Sequence, residues 1–441
     1  MVTFTVTGSA GRSGEVTAGI HGEGRRNMTS SLGSADRRAF LSFLAASPLL
    51  AAAGFTPGWL EQILEAPVAA QDAVVIKSVR EALNVFDFEA AARAKLSVPH
   101  FIEFDLGVFN DETLRANREA FTKYQIKMRR LLGVSKVDQS VQIFGVTWEA
   151  PIFLCPVGRL TALNNEGNLA VARAARAKNT LEIMSGTQRH AEVNALRGQP
   201  VWIGVQGGAP TQATLRQIEA AGTPALVWAI DGVGGGNQIG ARAVQRAGVP
   251  NLERKDDPRC NSCHKNEGRI TLSDPMNEVI GALGSLKGEA ANQVSWADVK
   301  RVRDMTRMKL LLKGIVTAED AELSLQNGVD GIIVSNHGGH EDASGRGTLE
   351  CLPEIVAAVG GRMPVLIDSG FRSGADVYKA LALGATAVGL GRAYSWGLAS
   401  FGQEGVETVI ELLRRELQVV MAQTGATSIA RIARESLITR N

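Results

Sequence analysis

Eight short apolar, β-branched runs separated by helix-sized segments constrain this chain more than any other feature. They are Ile152 to Cys155, Leu181 to Met184, Val201 to Val205, Ala225 to Ile230, Lys309 to Lys313, Gly331 to Val334, Pro364 to Ile367 and Ala387 to Leu390. Strands that are apolar throughout need cover on both faces, and alternation with helices is the mark of a parallel sheet. Eight such units predict an α/β (β/α)8 barrel; an open doubly wound sheet is the alternative, since alternation alone does not prove closure. The intervening segments suit helices. Glu166 to Lys178 keeps Leu169, Val171, Ala172 and Ala175 on one side, and Ala318 to Asn327 follows Thr317, a good N-cap. Residues 72 to 150 read as an N-terminal helical segment packed on the barrel, with Glu112 to Leu132 helical on the spacing of Leu114, Phe121 and Met128.

One interval breaks the rhythm. After Asp231, at the end of the fourth run, residues 232–295 pass with glycines and charges but little periodicity, and a loop of that length in a compact domain is usually functional or disordered. The expected division is therefore a leader region over 1–71 and a barrel domain over 72–441, with 232–295 as its long insertion. At 45% hydrophobic and 21% charged residues the chain can bury a large core. A net charge of +2, without a basic stripe interleaved with aromatics, excludes a nucleic-acid partner and leaves small molecules and electron partners.

The leader carries Asp36-Arg37-Arg38-Ala39-Phe40-Leu41 followed by an apolar stretch through Ala53. An arginine pair before a short hydrophobic run predicts twin-arginine export to the periplasm, with Met28 an alternative start and cleavage after Ala53 or Ala70. The run is too short to span a bilayer, so no integral membrane span is expected.

Candidate chemistry gathers where barrel strands end. Ser335-Asn336-His337-Gly338-Gly339 follows the sixth run and puts a histidine at the barrel mouth, with glycines that let a ligand approach the backbone. The seventh run ends Asp368-Ser369-Gly370-Phe371-Arg372 and the eighth Gly389-Leu390-Gly391-Arg392. Glycines plus an arginine at those two positions suit a phosphate. Lys313 ends the fifth run and points to the same mouth, where a cation could stabilise charge on a reduced isoalloxazine.

These motifs resemble the FMN-dependent 2-hydroxy acid oxidases and dehydrogenases, which include glycolate oxidase, lactate oxidase, mandelate dehydrogenase and flavocytochrome b2. The resemblance runs from about Leu83 to Leu417 and is strongest in Leu312 to Ile315, Val334 to Gly339, Leu352 to Ile355 and Leu366 to Arg392. It implies that His337 is the base, that Asp231 pairs with it, and that FMN is held by Lys313, Asp368, Gly370, Arg372, Gly391 and Arg392, beside Pro156-Val157-Gly158, Ser185 and Ser335. An Asp beside the imidazole would set its tautomer and favour the imidazolium formed on proton abstraction. The substrate contacts depart from the family pattern. His340 stands where an arginine would grip a carboxylate, Gln238 and Gln206 replace an arginine and a tyrosine, and His100 to Phe104 lacks the N-terminal tyrosine. Neutral imidazole cannot make the bidentate contact of a guanidinium, so a different substrate is expected, with Arg346 in the same loop a candidate replacement charge.

The insertion contains Cys260-Asn261-Ser262-Cys263-His264. Two thiols three apart with a histidine directly after can form thioethers to haem c while His264 ligates the iron. A redox disulfide, a half zinc site or chance are the competing readings. Met276 is a candidate second axial ligand and His190 a barrel-side option, while Cys155 and Cys351 read as packing residues. The expected function is an exported FMN-dependent oxidoreductase. It would take hydride from a small-molecule or peptide substrate and pass electrons through haem c to a periplasmic acceptor. The alternatives are a tailoring enzyme for a peptide or other large substrate and a non-enzymatic electron-transfer flavohaemoprotein. Homo-oligomers are common in the family, though no interface is legible in the sequence.

Overall fold

A closed ring of eight parallel strands forms the centre of the computed structural model, which describes residues 75–232 and 294–440 together with Ile239. In chain order the strands are β1 (Ile152–Leu154), β2 (Leu181–Ser185), β3 (Trp202–Gln206), β4 (Ala225–Ala229), β5 (Lys309–Ile315), β6 (Gly331–Val334), β7 (Val365–Ile367) and β8 (Ala387–Leu390). Each pairs with its sequence neighbours, and the pairing of Val388 with Ile152 closes the ring. Closure excludes the open doubly wound sheet. All eight runs read from the sequence are strands, with ends differing by a residue or two.

The outer ring comprises α1 (Asn168–Ala177), α2 (His190–Arg197), α3 (Gln212–Ala220), α4 (Trp296–Met305), α5 (Ala318–Gln326), α6 (Thr348–Val359), α7 (Gly374–Ala382) and α8 (Arg392–Thr424). Local chemistry sets their starts. The Thr317 hydroxyl accepts from Asp320 N at α5, and Ser373 does the same from Asp376 N at α7. Side chains divide into two layers. Phe153, Leu181, Ile183, Trp202, Val227, Leu311, Ile333 and Leu366 fill the barrel, while Ile152, Leu154, Met184, Trp228 and Leu312 pack outward against the helices. Two strands before β1, Val141–Ile143 and Val146–Trp148, form a hairpin whose Ile143 and Trp148 join the barrel-filling layer. The insertion between β4 and α4 is large, as expected. The leader and the motif residues Cys260, Cys263, His264 and Met276 lie outside the described residues, as does Gln238. Among the described residues no helix is long and apolar enough to cross a membrane.

The N-terminal segment is helical only over its first part: besides the hairpin Val141–Trp148, a long helix expected within it is not formed. The helix expected over Glu112 to Leu132 stops at Glu119 and passes through a tight turn, Ala120–Lys123, into the strand Tyr124–Ile126. That strand pairs antiparallel with Leu437–Thr439 at the far end of the chain. Phe121 is buried edge-on against Phe371 at 5.0 Å, and Met128 and Leu131 are exposed. Long-range pairing and one aromatic contact thus override a helical period that only local spacing supported.

A polar pair is buried among the apolar contacts. Glu182 of β2 lies 3.9 Å from Arg197 Nη1, yet neither of its carboxylate oxygens has a hydrogen-bond partner. Burial therefore outweighs the attraction of Arg197 and raises the Glu182 carboxyl to about 7. The folded state holds this proton more tightly than the unfolded chain, so the group's contribution is full below its unfolded range and lost as pH rises through about 7. Between pH 5 and 8 the loss is on the order of 2 kcal/mol. Denaturant melts should show that decline in the wild type and a flatter profile in Glu182→Gln; parallel profiles would refute the assignment.

Candidate active site

Lys313, at the mouth end of β5, is 4% exposed and lies between two carboxylates, 3.6 Å from Asp231 Oδ2 and 4.0 Å from Asp368 Oδ2. Burial disfavours its charge, but the two aspartates more than offset this and raise its pKa. Asp231 follows β4. Burial raises its carboxyl, but Lys313 and a hydrogen bond from His337 prevail and hold it at about 2. His337 Nδ1 is 3.0 Å from Asp231 Oδ1 and 3.4 Å from Lys313 Nζ. With Asp231 ionised and Lys313 a cation, Nδ1 carries the proton toward Asp231, which leaves Nε2 as the basic nitrogen.

His337 occupies the left-handed region at φ 56°, uncommon for a residue with a side chain. The surroundings impose it. Its amide donates to Ser335 Oγ at 3.2 Å, Gly338 N donates to Ser369 Oγ at 3.0 Å, and both hydroxyls donate to Asp368 Oδ1, at 2.7 and 2.8 Å. The N-terminal segment holds the loop from the other side. Val108 N donates to Gly339 O at 2.8 Å, and Asn117 and Asn336 exchange side-chain hydrogen bonds of 2.9 and 2.8 Å.

Glycines and arginines complete the mouth. Arg392 donates to the carbonyls of Phe104, Leu106 and Gly338, while Arg372 donates to Phe371 O and stacks 4.5 Å from the Trp396 ring centroid. Burial first, then the charges of Arg392 and Arg118, lowers the pKa of Arg372. Arg372, buried, and Arg392, half-buried, repel each other, so an anion near both would be favoured. At Gly391 an added Cβ would meet nothing within 4 Å, so the start of α8 opens on free space. Pro156, Val157 and Gly158 form the loop after β1, where a Cβ on Gly158 would lie 3.7 Å from Ser185 Oγ. Gly370 turns at φ +86° against Asn117. These groups fit a flavin phosphate, with Lys313 as a cation for the ring.

The substrate-side residues divide. Gln206, ending β3, reaches Glu341 with an Nε2 to Oε1 distance of 3.5 Å. His340 is neutral, its pKa driven well down by burial and then by Arg392 and His337. Arg346 is not brought to the cluster, because its guanidinium donates to Glu354 at 2.8 Å on the exposed side of the loop. His190 Nε2 is hydrogen-bonded to Thr223 at 3.0 Å. Two residues at the site carried no functional signal. Glu341, adjacent to His340, is half-buried; burial raises its pKa, which the charges of His337 and Lys313 counter and Asp231 reinforces. Cys155 is buried as a packing residue should be, yet its thiol also donates to Asp368 Oδ2 at 3.6 Å. Only a map of which strand ends adjoin could have flagged either.

The family described as FMN-dependent dehydrogenase matches residues 92–439. The chain belongs to it. The peroxisomal (S)-2-hydroxyacid oxidase GLO3 of Arabidopsis thaliana is 34% identical over 365 residues, covering 81% of this chain and 97% of the relative. L-lactate oxidase of Lysinibacillus sphaericus is 36% identical over 350 residues, covering 78% and 89%. A crystal structure of an arginine-to-leucine variant of mandelate oxidase with 2-hydroxy-phenylacetamide superimposes with a TM-score of 0.68 at 31% identity, covering 81% of this chain and 98% of that one. The protein is thus an FMN-dependent enzyme of the 2-hydroxy-acid oxidase/dehydrogenase type, which oxidises an organic substrate by hydride transfer. The expected periplasmic location is corrected by these comparisons. Plant relatives that match over 81% of the chain are peroxisomal oxidases, so an arginine pair before an apolar run does not establish an export signal here.

Gly339 generates a test of the loop architecture. It sits at φ +80°, and an added Cβ would lie 2.7 Å from Leu114 N. Gly339→Ala should cost roughly 1–3 kcal/mol from the backbone alone, and more from the clash. A thermal melt unchanged from wild type would show that the N-terminal segment does not hold the His337 loop.

Proposed function

We propose that His337 is the general base of this enzyme and that Asp231 and Lys313 position and polarise it. The observation that carries this reading is the 3.0 Å contact from His337 Nδ1 to Asp231, with Lys313 Nζ 3.6 Å from the other oxygen, at the mouth ends of adjacent strands. The substrate's C–OH carbon becomes a carbonyl. His337 Nε2 takes the hydroxyl proton, and the resulting imidazolium is stabilised by Asp231. FMN, when bound, accepts the hydride from that carbon. Arg372, Arg392 and the Gly391 turn would hold its phosphate, Pro156 to Gly158 and Ser185 would line the ring, and Lys313 would face its developing negative charge. Ser335, Asp368 and Gly370 support that wall of the site. Residues 72–441 form the FMN-binding unit in this reading. This site carries Glu341 and Gln206 near the base, with His340 and Gln206 standing where the resemblance places an arginine and a tyrosine. This favours a substrate whose carboxyl is absent or masked, as in a peptide or amide.

His337→Ala should lower the rate of flavin reduction by substrate at least about 100-fold while FMN stays bound, followed by anaerobic stopped-flow absorbance. Asp231→Asn should lower it with unchanged flavin content. Undiminished reduction in His337→Ala would overturn the assignment.

The finer reading adds haem c, attached through Cys260 and Cys263 with His264 on the iron and Met276 as candidate second ligand, to carry electrons onward to an acceptor. Its support is the spacing of the motif and its place in an insertion that leaves the barrel directly after Asp231. Purified protein should keep its Soret band through acid-acetone extraction, and Cys260→Ser with Cys263→Ser should lose it. Extraction of the band from wild type would reduce the enzyme to a flavin oxidoreductase.

A further inference from the structure

Glu341 lies where the loop after β6 turns back over the mouth. Its carboxyl is close enough to His337, Asp231 and Lys313 to exchange electrostatic influence with all three, and Gln206 Nε2 is 3.5 Å from its Oε1. Among the described residues, the cations near the base already have partners or roles. Lys313 is held between Asp231 and Asp368, Arg392 gives three of its N–H groups to carbonyls and keeps the others for the phosphate, and Arg346 is drawn away to Glu354. His340 contributes no charge, since burial keeps its imidazole neutral. The substrate side of the base is therefore walled by a carboxyl acceptor and a carboxamide.

We propose that Glu341 is a specificity-determining residue that rejects a free carboxylate beside the reacting carbon and accepts a hydrogen bond from the N–H of an amide in that place. This rests on His337 marking the reacting carbon. An anionic carboxylate set against Glu341 meets like charge in a partly desolvated site, whereas an amide of the same shape offers a donor. Gln206 fits the arrangement. Its carboxamide nitrogen donates to Glu341 across an exposed contact, and its oxygen is an acceptor that could receive a second N–H. Gly232 permits the approach, because a Cβ there would lie 2.7 Å from Gln206 Nε2. The proposal explains why a chain with the family's base carries His340 and Gln238 where the resemblance places arginines: the acid they would bind is not the group presented.

The test uses FMN-loaded full-length enzyme and two probes of one shape, 2-hydroxy-2-phenylacetate and 2-hydroxy-2-phenylacetamide. Affinity is measured by flavin difference spectra or calorimetry, and reduction by anaerobic stopped-flow. Wild type should bind the amide at least about ten-fold more tightly than the acid, a difference of about 1.4 kcal/mol. Glu341→Gln removes the charge and keeps the shape, so it should shrink that ratio about ten-fold, mainly by improving acid binding. Gln206→Leu should weaken the amide alone. Equal affinities in wild type, or a ratio unmoved by Glu341→Gln, would overturn the proposal. The His337 reading is judged separately. Reduction surviving in His337→Ala would defeat that reading, while the binding ratio would still decide the role of Glu341.

Discussion

A single buried ammonium organises the mouth of this barrel. Lys313 is 4% exposed, and a lone cation there would be strongly destabilised, so its charge depends on Asp231 at the end of neighbouring β4 and Asp368 at the end of β7. Each aspartate then has a second task. Asp231 turns its other oxygen to His337 and sets the imidazole tautomer. Asp368 accepts from Ser335 and Ser369, whose hydroxyls in turn accept the amides of His337 and Gly338. The backbone strain at His337 is thus balanced by a chain of contacts, an ion pair and then hydrogen bonds, that begins at a lysine on the neighbouring strand. Removing either carboxylate would expose an uncompensated charge and also release the loop, so electrostatics and loop geometry are one constraint.

The segment before the barrel belongs to this constraint. Val108 and Asn117 bind the loop directly, and Arg392 ties the Phe104 and Leu106 carbonyls to that of Gly338. Glycine at 107 and 339 permits the closest approach; a Cβ at Gly107 would stand 2.9 Å from Gly339 O. A barrel can form without such a segment, but this His337 loop has partners on only one side without it.

The strands were legible because each is predominantly apolar, and a core strand leaves a nearly contiguous signature broken only at Glu182 and at strand ends such as Gln206 and Lys313. His337, Lys313, Arg372 and Arg392 were legible because barrel chemistry collects at strand ends, so position along the chain already implied position in space. The turn at Ala120 was not, since it depends on strand Leu437–Thr439, hundreds of residues away, and on Phe371. Glu341 was hidden for a related reason. In the sequence it is one acid in a polar loop; only the reach of the loop after β6 across the mouth to the end of β3 sets it against Gln206 and the base. The place of Arg346 was equally opaque, as its partner Glu354 is a helix residue with an ordinary surface pattern.

The two kinds of site residue are anchored differently, and that bears on how a shared scaffold comes to hold different substrates. Lys313, Asp231 and Asp368 stand on or directly beside strands and constrain each other's charge, so altering one disturbs all. His340, Glu341 and Arg346 stand in a loop whose fixed points are its first residues and the start of α6. Between those points the side chains bear little of the fold's weight, and their charges can be exchanged at small cost to the barrel. On the proposal made for Glu341, a loop that presents a carboxyl beside the position where an arginine would suit an acid changes specificity without touching the residues proposed for proton transfer. The same separation explains why resemblance to the family identifies the chemistry at His337 more firmly than the molecule it acts on.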